Sequence, residues 1–196
     1  RSIPALMDGF KESQRKILYA GFMKKIDFDK PENKVAQFGA YVAEKTNYHH
    51  GEQNLFETII KMAQTFVGVN NIPLFMRNGA FGSRAKLGQD SASPRYIHTN
   101  LEELSRYIFK SSDEELLEYV ESDGERLEPV YYVPILPMIL VNGCIAGIGT
   151  GWSCNIPCFN PLDIIKAIKV WIENDGDVLS RDDEGVLSSK LEELVP

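Results

Sequence analysis

Cysteine is scarce. Only Cys144, Cys154 and Cys158 occur in 196 residues. An odd number without framework spacing excludes a disulfide scaffold and suits a reducing compartment. Cys154-x-x-x-Cys158 is at most half a zinc site, and the other half is missing, so free thiols are expected. Long apolar runs are absent too. No stretch of about 18 or more uncharged apolar residues exists, so no membrane span and no membrane partner are expected. There is no internal repeat and no signal-peptide pattern. The chain opens Arg1-Ser2-Ile3-Pro4 without a methionine, and reads as a piece of a longer polypeptide.

Basic residues are also in deficit. The net charge is −7, which taken alone argues against a nucleic-acid partner. Its distribution reverses that argument. Residues 1–110 hold 16 Lys+Arg against 11 Asp+Glu, a charge of +5. Residues 111–196 hold 5 against 17, a charge of −12. The asymmetry points to a DNA-facing first half and an acidic, solvated second half. A hydrophobic content of 43% is ordinary for a globular protein. The length suits one medium domain, or a small domain and part of another.

Periodicity predicts helices from about Glu12 to Lys25, Lys34 to Lys45 and Glu52 to Phe66. In the third, Leu55, Ile59, Met62 and Phe66 fall on one face. Three closely connected helices followed by Gly- and Asn-rich extended segments predict a helix-turn-helix with a wing, the wing spanning about Asn70 to Ser91. Asn78-Gly79 is a hairpin-type turn signal. Pro94 reads as the first turn of a helix through Leu101, Leu104 and Ile108. A short helix is expected over Glu114 to Tyr119, and extended segments over Val130 to Val141, which Pro134 and Pro137 interrupt. Gly143 to Gly151 reads as a glycine-rich loop. Asn160-Pro161 reads as an N-cap and first helical residue, opening a helix to about Ile172. Asp175 to Lys190 reads as a mobile polar loop. The fold class is mainly α with small β-sheets (α+β).

Several clusters carry chemistry. Arg95-Tyr96 pairs a phenol with a fixed cation. A free phenol titrates near 10 and is a poor nucleophile at neutral pH. It needs a base, a cation or a metal-polarised phosphate beside it. In isolation Tyr96 is more often a packing or surface residue. Gln14-Arg15-Lys16 puts cations near the start of a helix, where the helix dipole does not favour them. A phosphate partner explains them, and so does a solvated face. His49-His50-Gly51-Glu52 precedes the third helix, where free N–H groups make an anion site and histidine can donate or relay a proton. A capping histidine or a metal pair explains the same residues. The spacing is not His-Glu-x-x-His, and Gly147-Ile148-Gly149-Thr150-Gly151 lacks the Gly-Lys-Ser/Thr of a phosphate loop.

Taken in order with Asn78-Gly79-Ala80-Phe81-Gly82-Ser83-Arg84, Asp90 to Tyr96, Glu128-Pro129 and Pro134-Ile135-Leu136-Pro137-Met138, these clusters resemble the breakage-reunion region of a eukaryotic-type type IIA DNA topoisomerase. The resemblance covers about residues 1 to 172 and includes enzymes of large DNA viruses. It implies a winged-helix domain over 1–134 and the start of a mixed α/β tower domain over 135–196. It implies that Tyr96 attacks a phosphodiester and becomes linked to the 5′-phosphate, with Arg95, Arg15 and His50 at the reacting phosphate. It further implies DNA contacts by Lys16, Lys34, His49 and Arg84. Ile148 would be the wedge that unstacks a base step and bends the duplex. Double-stranded DNA, a homodimer, and Toprim and ATPase domains of the same polypeptide are the implied partners. Mg²⁺ and ATP are the implied cofactors, both held outside this chain, and no metal ligand is assigned within it. The nucleus is the implied location, or a viral replication compartment or virion. Three departures stand out. One extra residue lies between Asn142-Gly143 and Gly147-Ile148-Gly149, Gln89 replaces a usual lysine, and the tail beyond Asn174 matches poorly. A non-catalytic winged-helix module explains the basic half and the helices but not the clusters together. A tyrosine recombinase shares the nucleophile but not this motif order.

Overall fold

The computed structural model describes residues 2–174, 179–181 and 187–189. The chain divides into two units, residues 1–158 and 159–196. Among the described residues the class is as expected: helices with small two-stranded antiparallel sheets.

Three helices build the centre of the first unit: α1 (Glu12–Lys24), α2 (Val35–Lys45) and α3 (Glu52–Ala63). Their apolar faces converge. Ile17 and Leu18 of α1, Val35, Phe38 and Val42 of α2, and Leu55 and Ile59 of α3 have no exposed surface. Each such side chain contributes about 1.5–3 kcal/mol by leaving water. Helix α3 ends earlier than its periodicity predicts. Gln64 turns extended, and the Asn70 carboxamide donates to the carbonyls of Met62 and Gln64 at 3.3 and 2.6 Å. Gln64 then donates to Phe81 O and Gly88 O at 2.8 and 3.3 Å, tying the wing region to the helix end.

The helix expected from Pro94 does not form. Residues 94–96 make one turn, with the Tyr96 N–H donating to Ser93 O at 2.9 Å. The chain then enters strand β2 (His98–Thr99), which pairs with β1 (Asn33–Lys34) in the register Asn33 to Thr99 and Lys34 to His98. Single bridges join Asn78 to His98 and Phe75 to Leu101. The residues around β2 are thus drawn into strand pairing on both sides, and the apolar Ile97 and Leu101 fill the core. Asn78-Gly79 accordingly closes no local hairpin, because its partner lies twenty residues on. The helix resumes only at α4 (Glu103–Ile108).

The acidic stretch also departs from expectation. Instead of a helix over Glu114 to Tyr119, strands β3 (Tyr119–Ser122) and β4 (Glu125–Pro129) form a hairpin across Asp123-Gly124. Both turn residues have positive φ, 53° and 79°, as a tight hairpin turn requires. A second aromatic cluster seats this region on α1. Phe109 stacks on Phe10 at 5.5 Å between centroids, and Tyr132 meets Phe22 edge-on at 6.0 Å. Residues Met138–Val141 form the short helix α5 rather than an extended segment.

The glycine-rich segment is not a loop. It forms β5 (Cys144–Gly149), paired with β6 (Trp152–Ile156) across Thr150-Gly151. A register shift between Cys144 and Gly147 marks a bulge.

In the second unit Asn160 and Pro161 open α6 (Pro161–Glu173) as expected, with Asn160 Oδ1 accepting from the Leu162 N–H at 3.0 Å. The polar stretch Asp175 to Lys190 lies outside the described residues, apart from the antiparallel pair β7 (Leu179–Arg181) and β8 (Leu187–Ser189).

Candidate active site

The start of α2 has no side-chain cap. Its first N–H groups are instead satisfied by the tyrosine turn. Val35 N–H donates to Ile97 O and Ala36 N–H to Pro94 O, both at 3.0 Å. Two carbonyls flanking Arg95-Tyr96 are therefore fixed to a helix whose own side chains are in the core. The turn has little freedom, yet the side chains it carries are presented outward. Tyr96 is 78% exposed, Arg95 is exposed, and neither side chain has a hydrogen-bond or ion-pair partner among the described residues. Lys34, exposed at the N-cap of α2 and paired with His98, lies beside this turn. A phenol with a free oxygen, flanked by cations that have no internal partner, can approach an external anion without first breaking an internal contact.

The other residues singled out by sequence lie in three kinds of place. Arg15 and Lys16 are inside. Arg15 is 8% exposed, and its guanidinium grips Asp8 with Nε–Oδ2 at 2.7 Å and Nη2–Oδ1 at 3.0 Å, while Nη2 also donates to Phe10 O. Asp8 has no exposed surface and accepts as well from the backbone N–H groups of Phe10 and Tyr132. Lys16 Nζ lies 2.7 Å from Glu128 Oε1 and donates to Thr46 O at 2.8 Å. Both cations are thus paired inside the fold, where leaving either carboxylate alone would be costly.

His49 and His50 are exposed ahead of α3, and His50 meets the Tyr48 ring edge-on at 5.2 Å. No hydrogen bond, ion pair or ring contact joins either histidine to Arg95 or Tyr96 among the described residues. Arg84 is exposed on a single 3-10 turn, with Nη1 donating to Val67 O at 2.7 Å. Ile148 is 71% exposed on β5, one residue before the Gly149–Trp152 pair that closes the hairpin. Among the described residues no group of three or more His, Cys, Asp or Glu is placed to hold a metal ion. Burial raises the Cys144 thiol above its ordinary range, so it stays protonated at neutral pH.

Sequence reasoning missed Asp8 and underused Glu128. Asp8 belongs to none of the motifs read from the sequence. What marks it in the structure is Gly9 at φ +72°, which folds the backbone so that the carboxylate faces α1.

The family model for the A-type subunit of DNA gyrase/topoisomerase IV matches residues 1–182. The chain belongs to this family. It is 57% identical over 169 residues to DNA topoisomerase 2 of Saccharomyces cerevisiae, covering 86% of this chain and 12% of that protein. It is 55% identical over 172 residues to DNA topoisomerase 2 of Invertebrate iridescent virus 6, covering 88% and 14%. The fold matches the crystal structure of the Plasmodium falciparum topoisomerase II DNA-binding, cleavage and re-ligation domain with a TM-score of 0.85 at 50% identity, over 89% of this chain and 23% of that one. The chain thus spans about an eighth of the length of the curated relatives it matches. Those relatives are eukaryotic and viral, and one from Dictyostelium discoideum is named as mitochondrial. No helix among the described residues is long and apolar enough to cross a membrane.

Proposed function

We propose that this chain is the DNA-binding and cleavage region of an ATP-dependent type II DNA topoisomerase, with Tyr96 as its nucleophile. The observation that carries the proposal is the outward, unpartnered Tyr96 phenol beside Arg95 on a turn whose backbone is bound to the start of α2. The tyrosine oxygen bonds to phosphorus, the 3′ oxygen departs, and the protein remains on the 5′ end. The phosphotyrosine ester retains the energy of the broken bond, so the 3′ hydroxyl re-forms it without external energy. Arg95 supplies positive charge where the phosphoryl oxygens gain negative charge. His50 donates to the same phosphate in this reading. Lys34, His49 and Arg84 hold the backbone of the duplex, and Ile148 enters a base step.

Each Tyr96 cuts one strand, so the working unit is a homodimer on double-stranded DNA. Residues 1–134 act as the winged-helix domain and 135–196 as the start of the tower. Mg²⁺ sits on a Toprim domain and ATP on an ATPase domain, both elsewhere in the polypeptide. The isolated 196-residue chain is therefore expected to leave supercoiled DNA unrelaxed. The nucleus is the expected location, or a viral replication compartment or virion for a viral parent.

The test uses the full-length protein, end-labelled duplex DNA and Mg²⁺, quenched with detergent. Protein on 5′ ends in wild type, and none with Tyr96→Phe, is the expected result. An adduct that survives Tyr96→Phe would sink the assignment of the nucleophile. A folded, DNA-binding wild type with no adduct would indicate a non-catalytic module, and a 3′ adduct a recombinase.

A further inference from the structure

We propose that Asn100 is a positioning residue for the tyrosine turn, acting through the connection between α1 and α2. The proposal rests on the reading of Tyr96 above, but the contacts stand without it. Asn100 has no exposed surface, which is unusual for a carboxamide four residues from a 78% exposed tyrosine. Its Nδ2 points at three backbone carbonyls of the α1–α2 connection: Lys30 O at 2.8 Å, Asp27 O at 3.0 Å and Pro31 O at 3.4 Å. Its Oδ1 accepts from Asn33 Nδ2 at 3.0 Å. The amide orientation is fixed by chemistry, because carbonyls only accept and the Asn33 amide nitrogen only donates.

These contacts bear on the site because of what the connection leads to. Residues 27–32 run directly into β1 at Asn33 and Lys34, and then into the first turn of α2. Val35 and Ala36 of that turn hold Ile97 O and Pro94 O, on either side of Arg95-Tyr96. Asn100 thus closes a ring through the connection, the start of α2, the tyrosine turn and β2. An amide with two hydrogens and two short carbonyl partners holds a polar, otherwise exposed connection to the core. Without it, those carbonyls lose the side-chain donor that ties them to the core, and only water can replace it. The connection then loosens, and the helix start that fixes residues 94–97 loosens with it. DNA affinity, spread over many surface cations, changes little. The fraction of time Tyr96 spends in line with a phosphate falls.

The experiment uses the full-length protein with Asn100→Ala and with Asn100→Asp, which keeps the shape but loses both donors. Adduct formation at saturating DNA is expected to slow between about ten-fold and a hundred-fold in both variants, as for a misplaced reacting group. The DNA concentration for half-saturation stays at the wild-type value. Amide exchange speeds up at Val35 and Ala36 and stays unchanged in the core of α3. Wild-type cleavage rates in both variants would overturn the proposal. So would exchange that rises equally through α3, which would mark a general loss of stability. Should Asn100→Ala fail to fold, Asn33→Ala removes the Oδ1 contact and the Asn33 Nδ2 bond to Pro31 O while leaving both Asn100 donors in place, and a several-fold slowing without weaker DNA binding is expected there. Wild-type protein that forms no adduct would overturn the reading of Tyr96 instead, leaving the exchange result to decide the latch.

Discussion

Arg15 and Arg95 carry the same side chain into opposite settings. Around Arg15 every charge is answered within the fold: Asp8 takes the guanidinium in a two-point grip, and Glu128 takes Lys16 next to it. Around Arg95 nothing is answered, and the side chain stands in solvent beside an equally unpartnered phenol. The first setting spends charge to join α1 to distant backbone at Tyr132 and Thr46. The second spends backbone hydrogen bonds to hold charge outward. A cation in a motif is thus not by itself a ligand-binding cation. Whether its counter-charge lies inside or outside the fold decides what it does.

The sharpest way to break that contrast is Arg15→Ala. It strands the Asp8 carboxylate where no water reaches, and should cost about 3–5 kcal/mol of stability, read from the denaturant dependence of amide exchange in α1 of the full-length protein. Unchanged stability with lost cleavage would instead return Arg15 to the phosphate. Arg95→Ala is the mirror experiment. Adduct formation should fall about 10²–10³-fold, while thermal unfolding matches wild type. A lowered unfolding temperature would mean that Arg95 has a structural partner after all.

Gly9→Ala sharpens the interior side of the comparison. At φ +72° an L side chain is strained, and an added Cβ would lie 2.6 Å from Ile139 N. A loss of about 1–3 kcal/mol is expected, measured by the same exchange method. A smaller loss would show that α5 yields easily. The weakest effect concerns Asp90, whose carboxylate accepts from the Ser83 N–H and hydroxyl at 2.7 and 2.8 Å. Those bonds hold its pKa below the ordinary carboxylate range. Its contribution to holding the wing loop is therefore present above the unfolded value, and is lost as pH falls through the lower folded value. Protection of the Ser83 amide should fall over that acid window in wild type and be independent of pH in Asp90→Asn. The same pH dependence in both would exclude Asp90 as the cause.

How much was legible varies by element, and the variation has a physical pattern. Helices α1, α2, α3 and α6 were readable because each shows its apolar face within a dozen residues, and α6 adds an Asn-Pro start. The segment after Pro94 was misread because its strand partners, Lys34 and Asn78, lie 64 and 20 residues from His98. Local propensity has no access to such partners. The hairpin over Tyr119–Pro129 was within reach, since Asp123-Gly124 is a strong turn signal that the surrounding acidic residues obscured. Tyr96 and Arg95 were singled out through motif order. The internal role of Arg15 and Lys16 was not, because Asp8 and Glu128 answer them across 7 and 112 positions.

By itself, then, the sequence determined the family, the helical centre and the charge asymmetry between halves, and it singled out Arg95-Tyr96. These depend on residue type and short-range order. Only the tertiary structure decided which cations face inward, that the glycine-rich segment is a bulged hairpin, and that the start of α2 grips the backbone on both sides of Tyr96. The Lys16–Glu128 pair and the grip of α2 on the tyrosine turn join residues far apart in the chain, which meet only once the core has brought them together. The Arg15–Asp8 pair and the bulged hairpin join near neighbours whose pairing depends on the backbone path.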